Sequence, residues 1–151
     1  GSLDIDNPAL RELDVVGFAV HSLFKMPKKE MTERIIKAMN NEHADILFHP
    51  TGREIGKRPP FDIDIEKIID AAKATGTVLE IDAYPERLDL KDEHIRLAVK
   101  AGVKMSIDSD AHNKNHFRFL DFGIAQARRG WAEKKDVINA WPLDRMKKML
   151  K

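Results

Sequence analysis

The sequence predicts an α/β protein in which parallel strands alternate with helices. With 151 residues, 42% of them hydrophobic and 34% charged, the chain has the size and composition of one globular domain. Short apolar runs alternate along it with segments of helical periodicity. Parallel neighbours need a long connection, and a helix is the usual one. We therefore expect residues 1–151 to form a single domain of parallel βα units.

Four short runs rich in β-branched residues have the length of buried strands. They cover residues 15–20, 46–48, 78–81 and 103–107. The clearest helix signal lies between the second and third runs, where apolar residues recur at helical spacing over 64–75. Asp64 can cap its first turn and Gly76 can take the left-handed position after its last. Further helices are predicted at 29–40, 92–101 and 143–150.

Composition excludes several classes of protein. The chain has no cysteine, which rules out disulfides, thiolate zinc sites and a cysteine nucleophile, and fits a reducing cytoplasm. Its 26 basic and 25 acidic residues nearly cancel, so any site for a polyanion must be local. No apolar run approaches the length of a membrane span. We expect a soluble cytoplasmic protein with no membrane partner.

Ligand-type side chains follow each predicted strand. His21 ends the first run, His49 the second and Asp82 the third, while Asp110 and His112 come just after the fourth. Because the carboxyl ends of parallel strands meet at one rim, these side chains are expected to converge there. A single strand-end histidine is more often an ordinary loop residue, and a single aspartate can be a helix cap. Together they favour a catalytic zinc, manganese or iron site.

Two arginines lie close to the same rim in sequence. Arg53 follows His49 and Arg87 follows Asp82. The planar guanidinium group can donate two parallel hydrogen bonds to a phosphate. Both residues are therefore candidate phosphate or DNA contacts, with ordinary surface arginines as the alternative.

The remaining histidines and aromatic residues give weaker signals. We expect His43 and His94 on the surface, and His116 near the site without being a ligand. Five aromatic residues are expected to pack in the core or between helices: Phe117, Phe119, Phe122, Trp131 and Trp141.

Several motifs together resemble the polymerase-and-histidinol-phosphatase (PHP) superfamily, and within it the C-terminal PHP domain of bacterial and archaeal family X DNA polymerases. They are His-Pro-Thr-Gly-Arg at 49–53, Arg-Leu-Asp-Leu at 87–90, Ser-Asp-Ala-His at 109–112 and Ala-Arg-Arg-Gly-Trp at 127–131. The resemblance implies a distorted (β/α)7 barrel that holds up to three divalent ions, Mn²⁺ or Zn²⁺ with Fe²⁺ as a further candidate. It also implies a phosphoesterase that acts on DNA ends or abasic sites, as in a 3′–5′ exonuclease.

Position by position, the family's ligands match His21, His49, Asp110 and His112, and the resemblance gives the last two the catalytic role as well. The family's earlier His-x-His strand and its further ligands have no counterpart here. The chain is therefore expected to be the C-terminal part of a PHP domain, without its N-terminal strands and polymerase domain. We expect partial metal occupancy, an inactive isolated chain, self-association through the first strand, and DNA as partner of the longer protein.

Two other interpretations are open. The chain could be a non-catalytic DNA-binding or scaffolding module with a vestigial metal site, although its near-zero charge gives little support to strong DNA binding alone. It could also be an amidohydrolase-type barrel, but no lysine stands where the bridging lysine would be needed.

Overall fold

Four parallel strands form one sheet whose strand order follows the chain, in a computed structural model that describes residues 1–151. All three neighbouring pairs are parallel, as predicted, and helices connect them. The α/β class and its parallel βα units are therefore confirmed. The strands are β1 Gly17–Phe18, β2 Ile46–Leu47, β3 Val78–Asp82 and β4 Met105–Asp108.

Helices lie before, between and after the strands. The α-helices are α1 Asn7–Leu10, α2 Lys28–Met39, α3 Ile65–Thr75, α4 Asp92–Ala101, α5 Leu120–Arg129 and α6 Leu143–Lys147. Short 3₁₀ turns cover Lys114–Phe119, Lys134–Asp136 and Ile138–Ala140. None of the helices is both long enough and apolar enough to cross a membrane.

Local sequence signals set the ends of α3 and α4. The Asp64 carboxylate accepts a hydrogen bond from the Lys67 backbone N–H (3.3 Å), which satisfies one free donor of the first turn of α3. Gly76 and Gly102 follow α3 and α4 in the left-handed conformation, with φ of 74° and 81°. A side chain would be strained there, so glycine stops each helix at little cost.

The two faces of the sheet differ. One face buries Leu47, Leu79, Ile81 and Met105 in the main core, which includes side chains of α2, α3 and α4. On the other face, Ile46 and Val78 lie near the amino ends of their strands and pack with Ile138 and the C-terminal segment. Further along that face the side chains become polar, with Glu80 and Asp82 on β3 and Ser106 and Asp108 on β4. At its carboxyl end, this face of the sheet is therefore polar rather than part of the apolar core.

Some elements differ from those predicted. The first strand is limited to Gly17–Phe18, the two residues of the predicted run that pair with β2. The last helix ends at Lys147 rather than 150, since Met149 and Leu150 leave it to pack against the second core cluster. Helix α5 was not predicted. It buries only the small residues Gly123 and Ala127, while its larger apolar side chains, Phe122 and Ile124, are exposed.

Candidate functional site

A cavity of about 500 Å³ lies at the carboxyl end of the sheet. All four predicted ligands line it: His21 after β1, His49 after β2, and Asp110 and His112 after β4. Glu80 and Asp108, from the polar end of the sheet face, line it as well. The parallel arrangement therefore brings the strand ends to one rim, as the sequence analysis expected.

His49 is the most buried of the four residues. Its backbone N–H donates to the Glu80 carboxylate, and its side-chain Nδ1 is buried without a hydrogen-bond partner. Burial, followed by the positive charge of Arg87, lowers the pKa of His49 to about 4. Its imidazole is therefore neutral at neutral pH, which is the form that binds metals. The His21 ring lies 5.4 Å away between centroids.

Asp110 and His112 form a second pair on the rim. Asp110 has a φ of 47°, a left-handed conformation that is uncommon for residues other than glycine, asparagine and aspartate. Its backbone oxygen lies 2.7 Å from Nδ1 of His112. If His112 Nδ1 donates this bond, its Nε2 is left free to act as a ligand. The backbone N–H of His112 donates in turn to Nδ1 of His116 (3.2 Å), so His116 supports the loop.

Two buried carboxyl groups lie beneath the rim. Burial raises the pKa of Glu80 to about 9, and the nearby Asp82 carboxylate adds to the shift. Burial also raises the pKa of Asp82 to about 7, against the hydrogen bond from the Tyr84 backbone N–H and the charge of Arg87. Asp82 was expected at the rim from its position after the third strand, whereas Glu80 was not predicted there; of the two, Glu80 lines the cavity. Their burial, which only the folded sheet creates, is what makes them unusual.

The two candidate phosphate-binding arginines have different positions. Arg87 Nε lies 3.2 Å from Asp110 Oδ2 and 3.5 Å from Asp82 Oδ2, and its Nη1 is buried without a hydrogen-bond partner. Arg53 instead donates from Nε to the Arg87 carbonyl (2.7 Å) and from Nη2 to the Leu88 carbonyl. The structure therefore brings Arg87 to the rim and turns Arg53 toward the backbone of the loop that carries Arg87.

The predicted ligands suit a divalent cation in donor chemistry but are not gathered around a single point. The four predicted ligands are three imidazoles and one carboxylate, Glu80 and Asp108 add two further carboxyl groups to the cavity, and buried His49 Nδ1 and Asp82 Oδ2 have no hydrogen-bond partner. However, no three histidine, aspartate or glutamate side chains lie close enough together to hold one ion by themselves. A complete coordination sphere would need movement of these side chains or further ligands.

The prediction for three aromatic residues is wrong, because their side chains are exposed rather than in the core. Phe117 is 62%, Phe122 49% and Trp131 69% exposed. Trp131 directly follows Gly130, where α5 has ended, and the Arg96 guanidinium lies 4.3 Å above its ring. The histidines expected on the surface are more enclosed than predicted, with side-chain exposures of 17% for His43 and 18% for His94.

The chain is similar to several known proteins, to one of them over its whole length. The DNA polymerase/3′–5′ exonuclease PolX of Bacillus subtilis is 42% identical over 151 residues, which are 100% of this chain and 26% of that protein. A probable phosphatase of Thermoanaerobacter sp. (strain X514) is 34% identical over 121 residues, 74% of this chain and 47% of the relative. A probable phosphatase of Shewanella halifaxensis is 31% identical over 134 residues, which are 83% of this chain and 51% of that protein. No family model matches the chain.

The chain thus spans between about a quarter and about half of the length of these relatives. The chain is similar both to part of a polymerase/exonuclease and to proteins named as phosphatases. Similarity to both kinds of enzyme is consistent with a PHP domain. Taken with the parallel βα units and the motifs at their strand ends, these similarities confirm the resemblance found in the sequence, to the PHP domain of family X DNA polymerases.

Proposed function

We propose that this chain is the C-terminal part of a metal-dependent PHP phosphoesterase that hydrolyses phosphodiesters or 3′ phosphates at DNA ends or abasic sites. The observation that carries the proposal is the cavity at the carboxyl end of the sheet, which His21, His49, Asp110 and His112 all line. The similarity to a DNA polymerase/3′–5′ exonuclease over the full chain supports DNA as the substrate. Residues 1–151 would form one domain with segments of the longer protein.

In this proposal His21, His49, Asp110 and His112 hold the divalent ions, Mn²⁺ or Zn²⁺ with Fe²⁺ as a further candidate. When bound, such an ion lowers the pKa of a coordinated water toward neutrality and so provides a hydroxide nucleophile. Neutral His49 has a free nitrogen for coordination. Asp110 and His112 also have the catalytic role in this proposal, and the bond from His112 Nδ1 to the Asp110 backbone oxygen holds their side chains on the same loop.

Arg87 is the residue of this chain best placed to bind the phosphate. Its guanidinium group already lies between Asp82 and Asp110, and these carboxylates restrict its movement. A restrained cation at the rim can compensate the negative charge of a phosphate without reorganising during the reaction. Arg53 would act indirectly, because its bonds to the Arg87 and Leu88 carbonyls hold the loop in place.

The dispersed ligand set favours one alternative function. Since no three ligand-type side chains are gathered around one point, the chain could be a non-catalytic DNA-binding or scaffolding module with a vestigial site. Under the main proposal, the missing ligands come from other strands of the longer protein. The isolated chain would then bind metal weakly and have little hydrolytic activity, because misplacement by about 1 Å can cost roughly a hundredfold in rate.

An exchange experiment separates the two functions. The matching quarter of the Bacillus subtilis relative is replaced by this chain, and release of nucleotides from a DNA 3′ end is measured with Mn²⁺. We expect activity in the hybrid and a loss of at least about tenfold to hundredfold in Asp110→Asn and in His112→Asn. Nucleotide addition shows that the polymerase domain of the hybrid is intact. His43→Asn, which changes a histidine outside the cavity, is the matched control and should keep the hydrolytic activity.

Hydrolysis that is unchanged in both Asp110→Asn and His112→Asn would contradict the metal-site assignment. A hybrid that adds nucleotides but never hydrolyses DNA would support the non-catalytic function. Hydrolysis by the isolated 151-residue chain at the rate of the hybrid would contradict the proposal that other strands supply ligands.

A further inference from the structure

A second cavity, of about 290 Å³, adjoins the first at the rim. Asp110 and His112 line both cavities, so these two proposed metal ligands lie at the boundary between them. Its other lining residues come from the loops after β2, β3 and β4: Glu54, Tyr84, Glu86, Arg87 and His116. A molecule that fills both cavities would therefore place one group among the proposed ligands and its neighbour against these loops.

The charges around the second cavity disfavour a second phosphate. Glu54, Glu86 and Asp110 contribute three carboxyl groups to the lining, and Arg87 is the only lysine or arginine. Glu54 is paired with Arg58 (2.8 Å) and Glu86 with Lys57, so these carboxylates are held in place. Because the cations around the cavity are all paired with these carboxylates, the lining has no excess positive charge to hold a phosphate. The suitable occupant is an uncharged part of the substrate that can form hydrogen bonds.

Tyr84 gives the second cavity a rigid aromatic wall. Its backbone N–H donates to Asp82 Oδ1 (2.7 Å), which fixes the start of the loop. Its ring makes an edge-on contact with Phe119, at 5.4 Å between centroids and an interplanar angle of 88°. A second edge-type contact joins it to His116, at 5.3 Å and 61°. Because its neighbours hold the ring in place, binding against it would cost little conformational entropy.

We propose that the second cavity binds the nucleobase of a nucleotide whose phosphate lies at the boundary of the two cavities, between the proposed metal ligands and Arg87, with Tyr84 as the aromatic contact. This inference rests on the proposed function and assigns it a specificity subsite. Every nucleobase has an aromatic face, so stacking on a tyrosine provides affinity without selecting a sequence. The subsite would favour phosphate esters of nucleosides over simple phosphate esters.

Binding to the 151-residue chain tests the subsite without requiring hydrolysis. Deoxyadenosine 5′-monophosphate and deoxyribose 5-phosphate, which lacks the base, are titrated separately and followed by NMR. We expect the nucleotide to bind about tenfold more tightly and to shift the signals of Tyr84 and His116. The preference should disappear in Tyr84→Ala and be kept in Tyr84→Phe. Phe117→Ala, which removes an exposed aromatic side chain of the same region, should keep it too.

The outcomes separate the subsite from the proposed function. Equal binding of the two phosphates by the wild-type chain, or a preference that survives in Tyr84→Ala, would overturn the subsite. Binding of neither compound would overturn it as well. These results would leave the metal-dependent hydrolysis of the hybrid protein unaffected. Conversely, a base preference in a hybrid that cannot hydrolyse DNA would show that the proposed function has failed while Tyr84 still binds a base.

Discussion

Asp89 shows how a buried charge holds the rim in place. Its carboxylate is fully buried and accepts hydrogen bonds from the backbone N–H groups of Thr51 and Gly52 (2.9 Å each) and from the Thr51 hydroxyl (2.8 Å). Burial raises the pKa of this carboxyl group, and the hydrogen bonds oppose that shift. Because Thr51 and Gly52 follow His49 closely, Asp89 fixes the loop that presents His49.

Asp89→Asn should therefore destabilise the protein. The amide oxygen can still accept from the two N–H groups while the N–H₂ group donates to the Thr51 hydroxyl, but the hydrogen bonds lose the added strength that a charged carboxylate gives them. We expect a loss of about 1–3 kcal/mol in the free energy of unfolding, measured by urea denaturation. Thr51→Val, which removes only the hydroxyl donor, should cost less. An Asp89→Asn protein as stable as the wild type would contradict this role of the carboxylate.

His94 should make stability fall in mild acid. Burial lowers its pKa below the usual 6.5, and its Nδ1 is buried without a partner. The neutral ring therefore contributes stability that is present above pH 6.5 and is lost as the pH falls through the lower folded-state pKa.

Urea denaturation of the wild type and of His94→Gln at about pH 7.5 and about pH 5.5 measures this effect. The free energy of unfolding should decrease more in the wild type than in the variant between the two conditions. An identical decrease in both proteins would show that His94 does not contribute to the acid sensitivity.

At the residue scale, the sequence could predict the candidate ligands but not all of their surroundings. His21, His49, Asp110 and His112 follow apolar runs, and the geometry of parallel strands alone brings such residues to one rim. Arg53 and Arg87 have similar positions in sequence, and only the tertiary fold turns Arg53 toward backbone carbonyls. The role we propose for Tyr84 depends on contacts with residues far along the chain, which no local pattern reveals.

At the scale of elements, the sequence predicts best those helices whose start, buried face and end are all marked by local residues. Helix α3 combines an apolar stripe, an aspartate cap and a glycine stop, and all three act as predicted. Helix α5 was missed because its contacts are made by small residues. A Cβ added at Gly123 would lie 2.5 Å from Ile107 Cγ2 and 2.8 Å from the Ala83 Cβ, so the helix packs directly on the ends of β3 and β4.

Gly123→Ala should therefore destabilise the protein although alanine favours helices. Helix propensity alone predicts a gain of about 1 kcal/mol, whereas the close contacts predict a loss of about 1–3 kcal/mol. Ala125→Gly, at an exposed position of the same helix, provides the control and should follow propensity with a loss of up to about 1 kcal/mol. A more stable Gly123→Ala protein in thermal denaturation would contradict the close packing of α5.

At the scale of the whole molecule, the two edges of the sheet are covered differently. Beside β4, Met105 forms a parallel bridge with Val137, and the Asn139 side chain bonds both the N–H and the C=O of Ile107. At the other edge, residues 1–5 approach β1 but leave a largely apolar cavity of about 370 Å³. Exposed apolar side chains lie along it, among them Ile5, Leu13 and Val15.

We therefore expect self-association through the β1 edge, as the sequence analysis predicted, because exposed apolar strand edges favour pairing. Sedimentation should show dimers or larger species at near-millimolar concentration. Val15→Lys should shift the population toward monomers, since charge at an edge opposes pairing. A wild-type chain that is strictly monomeric under these conditions would show that residues 1–16 cover the edge sufficiently.

The central claim is that His21, His49, Asp110 and His112 bind a divalent metal at one rim, and paramagnetic broadening by Mn²⁺ tests it most directly. Mn²⁺ is titrated into the isotope-labelled 151-residue chain while the imidazole signals of all six histidines are followed by NMR. We predict that His21, His49 and His112 broaden together at the lowest Mn²⁺ concentrations, before His43 and His94, and that Asp110→Asn weakens the effect by at least about tenfold. Broadening that begins at His43 or His94, or that is the same in Asp110→Asn, would contradict the claim.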